Sequence, residues 1–393
     1  MELPVAVERL FSPELRARLV ALRRAIHQHP ELAFEEHATA DRLERALADL
    51  GVSDVRRVGA TGVIARVPGR ARGAPFVALR GDIDALPIQE ATGLPFASNT
   101  PGVMHACGHD VHATWAAGAA ALLVEQPAER DVLIVFQPAE EVGRGALAIL
   151  ESGALDGVRA IFGGHVDRRF AVGQVVADEG PLAASGDEFE IELIGQGAHA
   201  ARPHESRDPI VAAAAVIVAL QTIVARRLNP ATPGVVTVGS VHAGSAPNVI
   251  PERAVLAGTV RAIESESRET MLRAVEEIAA TTAAAYGVEA RVTIARGTPP
   301  IVNPPEATRW AREAAEAVLG SAAVVPLGFL NMAAEDFAHY MESIPGCFLR
   351  IGARERDGVM IPAHAPTFHP SEDAIFIGAA VLAEAARTAA RAL

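Results

Sequence analysis

Lysine is missing from all 393 residues, and the 35 basic side chains are arginines. A Schiff base, a pyridoxal anchor and a phosphate-loop lysine each need an ε-amine, so those chemistries are excluded. Cysteine is scarce: Cys107 and Cys347 are the only two. They make no disulfide framework, and a reducing cytoplasm is the expected compartment. Long apolar runs are also lacking. The longest, Ile210 to Leu220, falls well short of the roughly 20 residues a membrane span needs, and it reads as a buried helix. Met1-Glu2-Leu3-Pro4 has no basic stretch, and Glu8 and Arg9 interrupt any apolar segment after it, so no signal peptide is expected. Positive charge is in deficit, with 48 acidic side chains against the 35 arginines and a net charge of −13. Such a balance repels a phosphate backbone, so neither nucleic acid nor a membrane is an expected partner.

What is present is a long, ordered chain. Its length exceeds what one core normally supports, so two domains are expected. Ser12-Pro13 reads as an N-cap with proline at the first helical position, and Leu15, Leu19, Leu22 and Ile26 recur at helical spacing. A second helix should end at Leu50 before Gly51. Short β-rich runs then alternate with helical stretches: Phe76 to Leu79, a helix after Asp110, Val132 to Phe136, a helix near Ala146, and Ala160 to Phe162. That alternation predicts an α/β domain with a largely buried central sheet. Chemically loaded residues follow the strands: Asp82 and Asp84 the first, Glu140 and Glu141 the second, His165 the third. Ligands in open α/β sheets bind outside the carboxyl ends of strands, so these residues are expected to share one crevice.

Near Ser185 the pattern changes. Phe189, Ile191 and Leu193 alternate with Glu188, Glu190 and Glu192, the period-two signature of a strand with one wet face. A helix from Asp208-Pro209 to about Arg227 follows, then strands at Val235–Val241 and Ala254–Arg261, a helix from about Glu266 to Ala285, and a strand at Val288–Ile294. The order β-α-β-β-α-β is a ferredoxin-like split unit. Beyond it the chain returns to helix and strand, including Cys347 to Ile351 and a last helix from about Glu372. His364 lies between these two. The expected fold is therefore α/β: a discontinuous domain with a central mixed sheet flanked by helices, spanning 1–184 and 297–393, with the ferredoxin-like unit inserted at 185–296.

Two clusters carry the chemistry. The first is Met104-His105-Ala106-Cys107-Gly108-His109-Asp110-Val111-His112, and the second is Gln137-Pro138-Ala139-Glu140-Glu141. Cys, His and Glu bind zinc-like ions, and a spare Glu beside a ligand Glu is what activation of a hydrolytic water requires. The bland reading of the acidic pair is a solvated cap on the following helix. A lone cysteine is most often a small buried apolar residue. Between His105 and His109 in a glycine-containing loop, Cys107 is better explained as a thiolate ligand, with a nucleophilic role as the competing reading. His165 could be structural. His105 and His112 read as residues that orient ligand imidazoles or pack the helix. His199, in Gly195-Gln196-Gly197-Ala198-His199, is balanced between a loop histidine and a functional one.

These segments, together with Asp82-Ile83-Asp84-Ala85-Leu86-Pro87, Gly164-His165-Val166, Ala246-Pro247-Asn248-Val249-Ile250-Pro251, Glu335-Asp336-Phe337 and His364-Ala365-Pro366, resemble the peptidase M20 family along nearly the whole chain. The resemblance is to its amidohydrolase branch of aminoacylase-like, hippurate-hydrolase-like and auxin-conjugate-hydrolase-like enzymes. It implies two divalent metal ions (Zn, Mn, Co or Ni) held by Cys107, His109, Glu141, His165 and His364. It also implies Glu140 as general base on a metal-activated water and Asp84 as the carboxylate orienting a ligand imidazole. The inserted unit resembles a dimerisation lid whose histidine, matching His199, reaches the substrate carbonyl, usually in the neighbouring subunit of a homodimer. Phe368-His369-Pro370 departs from the family's Asp-rich continuation and makes His369 the alternative to His364. Asn248 and Arg261 are candidates for gripping a substrate carboxylate, Arg as a bidentate fork; the structural alternatives are an Asn248 that fixes a turn before Pro251 and an Arg261 that lies along a sheet face. Glu335 and Asp336 are expected to support the site or cap a helix. The implied reaction is hydrolysis of the amide of a small N-acyl amino acid or short peptide-like conjugate. A metallo-carboxypeptidase or dipeptidase, a non-catalytic small-molecule binding protein and a metal-free cysteine hydrolase are the alternatives.

Overall fold

A computed structural model describes residues 3–74 and 76–393, and these fall into two compact units. The first ends at Gly180 and resumes at Asn303–Phe329 and Asp336–Leu393; the second comprises Pro181–Val302 and Leu330–Glu335. Attachment of the short stretch Leu330–Glu335 to the second unit has no counterpart in the sequence periodicity.

The first unit is built on a seven-stranded mixed sheet. Its order runs Asp54–Val58, Gly62–Val67, Val132–Gln137, Phe76–Asp82, Val158–Ala171, Gly346–Arg354, Val175–Val176. Val132–Gln137, Phe76–Asp82, Val158–Ala171 and Gly346–Arg354 are mutually parallel neighbours. They read as near-continuous apolar runs because helices bury both faces. The helices Pro13–Gln28, His109–Glu125 and Asp373–Ala392 supply much of this cover, with Trp115, Phe376 and Leu19 fully buried among them. The first helix starts as the sequence predicts: the Ser12 hydroxyl accepts the Leu15 N–H at 3.2 Å, and Pro13 occupies the first turn.

One strand boundary differs from the expectation. His165 lies inside Val158–Ala171, not beyond a strand ending at Phe162. Pairing with Phe76–Asp82 stops at Leu79–Phe162, whereas pairing with Gly346–Arg354 continues through Arg350–His165 to Gly352–Asp167. The strand thus overruns one neighbour and carries His165 to the sheet's carboxyl lip.

The first-unit site is anchored to the N-terminal helix by a buried charge network. Asp110, in the first turn of His109–Glu125, pairs with Arg23 Nε at 2.7 Å and His27 Nδ1 at 2.8 Å. The other ring nitrogen of His27 lies 3.2 Å from Glu90, which also accepts the Thr92 hydroxyl and the Ser98 N–H at 2.6 Å. Burial alone would raise the Glu90 carboxyl, but the bonds from His27, Thr92 and Ser98 outweigh it and hold it at about 2. A carboxyl whose folded pKa lies below its unfolded value stabilises the fold above that unfolded value, and the contribution fades as pH falls from about 4.5 toward about 2. Glu90→Gln should therefore flatten the acid limb. Urea midpoints measured at pH about 5 and about 3 should fall less between the two for the variant than for the wild type.

The second unit is a four-stranded antiparallel sheet in the order Gly234–Ala243, Arg253–Ala262, Asp187–Ile194, Glu289–Ala295, crossed by helices Pro209–Leu220 and Ser265–Ala285. Phe189, Ile191 and Leu193 face its core with Leu256, Val260, Val216 and Val275, so the period-two pattern places each side chain correctly. The helix Pro209–Leu220 corrects one expectation. It buries Ala212, Ala213, Val216 and Leu220 but leaves Ile210 and Val211 half exposed and Val218 71% exposed. A helix lying on one sheet face can bury only one stripe, whatever the hydrophobicity of the other. Among the described residues no helix is long and apolar enough to cross a membrane.

Candidate functional site

The first cluster forms a loop and the first turns of a helix. Gly108 stands at the N-cap of His109–Glu125 with φ +93°, and a Cβ there would sit 2.5 Å from Val166 Cγ2. Only glycine turns the chain between Cys107 and His109 without strain or collision, and so both side chains reach one place. Asp84 fixes the imidazole of His109: Nδ1 donates to the Asp84 carbonyl at 2.9 Å and lies 3.1 Å from its Oδ1. The proton is thereby assigned to Nδ1, leaving the Nε2 lone pair directed inward.

The second cluster follows the strand Val132–Gln137. Ala139 adopts φ +54°, a left-handed conformation that costs a non-glycine residue about 1–3 kcal/mol. The Glu141 N–H donates to Asp84 Oδ2 at 3.0 Å, so Asp84 braces both clusters. Glu140 Oε1 accepts the Asp336 N–H at 3.4 Å. Asp336 itself is buried and accepts from Arg80 at 3.0 Å, Gln137 at 2.8 Å and the Ala146 N–H at 2.9 Å. It supports the loop that carries Glu140.

His165 donates its Nδ1–H to the Val166 carbonyl at 2.7 Å and turns Nε2 to within 3.2 Å of Cys107 Sγ. His364, at φ +66°, is tied by its N–H to the Ala106 carbonyl at 2.8 Å, with Nε2 3.4 Å from Glu141 Oε1. His112 sits behind. Its Nδ1 lies 2.6 Å from Asp82, its Nε2 accepts the Val166 N–H at 3.0 Å, and its ring stacks on Trp115. His105 is buried with no hydrogen-bond partner among the described residues, and its pKa is pushed down to about 3 by that burial.

The donors form overlapping groups. Cys107, His109 and His165 can meet at one point, and Cys107, Glu141 and His364 at another, with His109, Glu140 and Glu141 forming a third group. Cys107 belongs to both of the first two. His369 belongs to none; its Nδ1 faces the Thr367 carbonyl at 2.9 Å. His109 Nε2 and Glu141 Oε1 are buried yet no partner meets hydrogen-bond geometry at either. Buried polar atoms are normally satisfied, and two aimed at one place together with a thiol and two imidazoles fit a soft-to-borderline divalent cation.

Electrostatics agree. Burial opposes ionisation of Asp82, but Arg80, His109 and His112 hold its carboxyl well below the usual range. Burial favours a neutral His109, yet Asp82 and Asp84 raise its pKa well above the ordinary value, so this corner of the site favours positive charge. His165 is pushed down by burial, then by His112 and Arg350, which suits a neutral imidazole donor. The Cys107 thiol is driven well above its usual value by burial and by Glu141. A cysteine nucleophile needs the opposite shift. A thiolate here calls for a cation beside it.

The second unit holds the remaining candidates. Ala198–His199 pairs with Val249–Ile250, and the Ala200 N–H donates to the Asn248 carbonyl at 3.1 Å, so His199 and Asn248 are neighbours, both exposed. His199 Nδ1 accepts the Ala201 N–H at 3.1 Å, leaving Nε2 as a donor. Arg261 lies at the opposite end of the strand Arg253–Ala262, with Nη1 3.4 Å from the Met332 carbonyl. Eight residues of strand separate Arg253, beside the His199 end, from Arg261, or roughly 26 Å at about 3.3 Å per residue. Within one chain, Asn248 and Arg261 cannot hold the same carboxylate.

Sequence reasoning missed Glu36, Arg80 and Tyr340. Arg80 and Tyr340 are fully buried and bond to Gln137, beneath the second cluster. Arg80 stands mid-strand in an apolar run, and a buried arginine there is a signal in itself.

Comparison with known proteins follows the same lines. The sequence profile of Peptidase family M20/M25/M40 matches residues 78–388. An N-acetyl-L-cysteine deacetylase of Bacillus subtilis is 42% identical over 376 residues, covering 95% of this chain and 88% of that protein. An IAA-amino acid hydrolase ILR1-like 4 of Arabidopsis thaliana is 40% identical over 375 residues, covering 94% and 84% respectively. The crystal structure of the Bacillus subtilis YXEP protein, described as a dinuclear metal-binding peptidase of the M20 family, superposes with a TM-score of 0.85 at 36% identity, covering 97% of this chain and all of that one.

Proposed function

Because the chain belongs to Peptidase family M20/M25/M40, we propose that it is a dinuclear metal-dependent amidohydrolase that releases the amino acid from N-acyl amino acids. The observation that carries this reading is the pair of donor groups sharing Cys107, with Glu140 beside them. Cys107, His109 and His165 would hold one ion and Cys107, Glu141 and His364 the other; zinc, manganese, cobalt and nickel all suit this mixed sulfur, nitrogen and oxygen set. Such ions, when bound, polarise an amide carbonyl and lower the pKa of water.

The protein's own groups do the rest. Glu140, held by the Asp336 amide, takes the proton of the attacking water and delivers it to the departing nitrogen. Asp84 holds the Nδ1 side of the His109 ring, so that Nε2 is the nitrogen turned toward the other donors, and it fixes the Glu141 backbone. His199 presents an Nε2–H to the oxyanion that develops at the carbonyl, with Asn248 beside it for the substrate's polar end.

We take His199 to act across a homodimer. In support, Gly234–Ala243 is an edge strand with Val235 and Val241 exposed, and Ile210, Val211 and Val218 on the helix add apolar surface within the same unit. An unpaired edge with an exposed apolar patch is what a second copy covers. N-acyl amino acids rank above carboxypeptidase or dipeptidase substrates because relatives near 40% identity carry deacetylase and amino acid hydrolase names.

The test is amine release from a panel of N-acyl amino acids, N-acetylcysteine and N-acylated aromatic and acidic residues included. Turnover should vanish on chelation and return when Zn, Mn, Co or Ni is restored. Activity that survives chelation and dies with a thiol reagent would instead make Cys107 a nucleophile.

A further inference from the structure

Three stretches far apart in the sequence meet at one buried carboxylate. Glu36 precedes the helix His37–Asp49 and is fully buried. Its Oε1 accepts the Ala139 N–H at 2.9 Å and its Oε2 accepts the hydroxyl of Thr61, also fully buried. Burial pushes this carboxyl's pKa up despite those bonds. A buried carboxylate is costly unless its bonds serve something, and Glu36 belongs to none of the metal-donor groups.

The backbone around it shows what is served. Among the described non-glycine residues, positive φ occurs at Phe34, Ala60, Ala139 and His364. Phe34 lies two residues before Glu36, Ala60 directly precedes Thr61, and Ala139 supplies the amide that Glu36 holds. Negative φ is the conformation that an alanine's Cβ favours, and Ala139 is kept from rotating there by Glu36 at its N–H and by the Arg144 and Gly145 N–H groups at its carbonyl. Ala139 directly precedes Glu140, so that rotation would redirect the peptide from which Glu140 and then Glu141 project. Glu141 is pinned again by Asp84 through its own N–H.

Resting on the hydrolase reading above, we propose that Glu36 is a positioning residue: by accepting the Ala139 amide it holds Ala139 left-handed and so aims Glu140 at the substrate. The reacting atoms never touch it.

The experiment uses the metal-loaded 393-residue protein and compares Glu36→Ala, Glu36→Gln and the double variant Glu36→Ala/Ala139→Gly. Glu36→Ala should lower kcat per folded, metal-loaded molecule about 30- to 100-fold, leaving KM within about threefold and metal affinity in chelator competition within about tenfold. Glu36→Gln keeps an oxygen acceptor and should stay within about fivefold of wild type. Glycine at 139 adopts the left-handed conformation without a clamp, so the double variant should regain about tenfold over Glu36→Ala.

Hydrogen exchange of the Ala139 amide, read by NMR without substrate, should be slow in the wild type and at least about tenfold faster in Glu36→Ala. A merely structural role would lower the melting temperature of all Glu36 variants without moving kcat, and glycine at 139 would restore nothing; either result overturns the proposal, as does unchanged exchange at Ala139. Should the wild type hydrolyse no N-acyl amide, the hydrolase reading fails by itself, while exchange and chelator competition still decide whether Glu36 holds Ala139.

Discussion

Glu140→Gln should leave the protein folded with its full metal complement and slow turnover of an N-acyl amino acid by about 10²- to 10⁴-fold, with KM little changed. The glutamine preserves volume and an oxygen that can accept the Asp336 N–H, so the loop after Val132–Gln137 keeps its course. What disappears is a group able to receive a proton. Glu140 lies in the same cluster as the donors, its Oε2 3.8 Å from His109 Nε2, so a substitution that also stripped metal would leave its role ambiguous. His109→Ala provides the contrast. It removes a donor common to three of the groups and should cost metal and activity together. Metal content by elemental analysis, set against kcat for the two variants, separates proton transfer from ligation. A Glu140→Gln enzyme that turns over at the wild-type rate would remove Glu140 from the chemistry.

Much of this arrangement is legible in the sequence because parallel strands deliver their carboxyl ends to one lip. Asp82, Glu140 and Glu141 could be assigned to a shared crevice from strand order and the short loops that follow. Cys107 and His109 could be paired because the glycine between them allows the left-handed turn that brings both side chains to one place. Other parts depend on contacts that spacing does not encode. His165 lies within a strand, since how far a strand runs depends on which neighbour still pairs with it. Asp336 acts through polar partners that include Arg80, Gln137 and Ala146, drawn from three segments, and Glu36 acts through one amide more than a hundred residues away. Hydrophobicity misplaces the helix Pro209–Leu220 for a different reason: an apolar residue facing outward looks the same in sequence whether solvent or a second subunit covers it. Asn248 and Arg261 read as one carboxylate clamp until the sheet register puts them at opposite ends of a strand.

The same register makes His199 the sharper test of assembly. His199→Ala should lower kcat about 10²- to 10³-fold, the usual loss when an oxyanion donor is removed, with metal content intact because His199 sits in neither donor group. That result alone says nothing about which subunit supplies the imidazole. Mixing His199→Ala with Glu140→Gln does. Each homodimer is nearly inactive, but after the subunits are dissociated and reassociated at random, half the dimers are mixed. If His199 serves the partner's site, each mixed dimer has one site built from an intact Glu140 on one chain and an intact His199 on the other, and about a quarter of wild-type activity returns. If His199 serves its own chain, every site in the mixed dimer lacks one group or the other and nothing returns. Recovery that follows the fraction of mixed dimers, measured across a series of mixing ratios, would tie the exposed edge Gly234–Ala243 and the apolar helix face to the chemistry of the first unit. Failure to recover, with subunit exchange verified by mass, would assign His199 to its own chain's site, whereas a His199→Ala enzyme with unchanged kcat would return it to the role of a loop histidine.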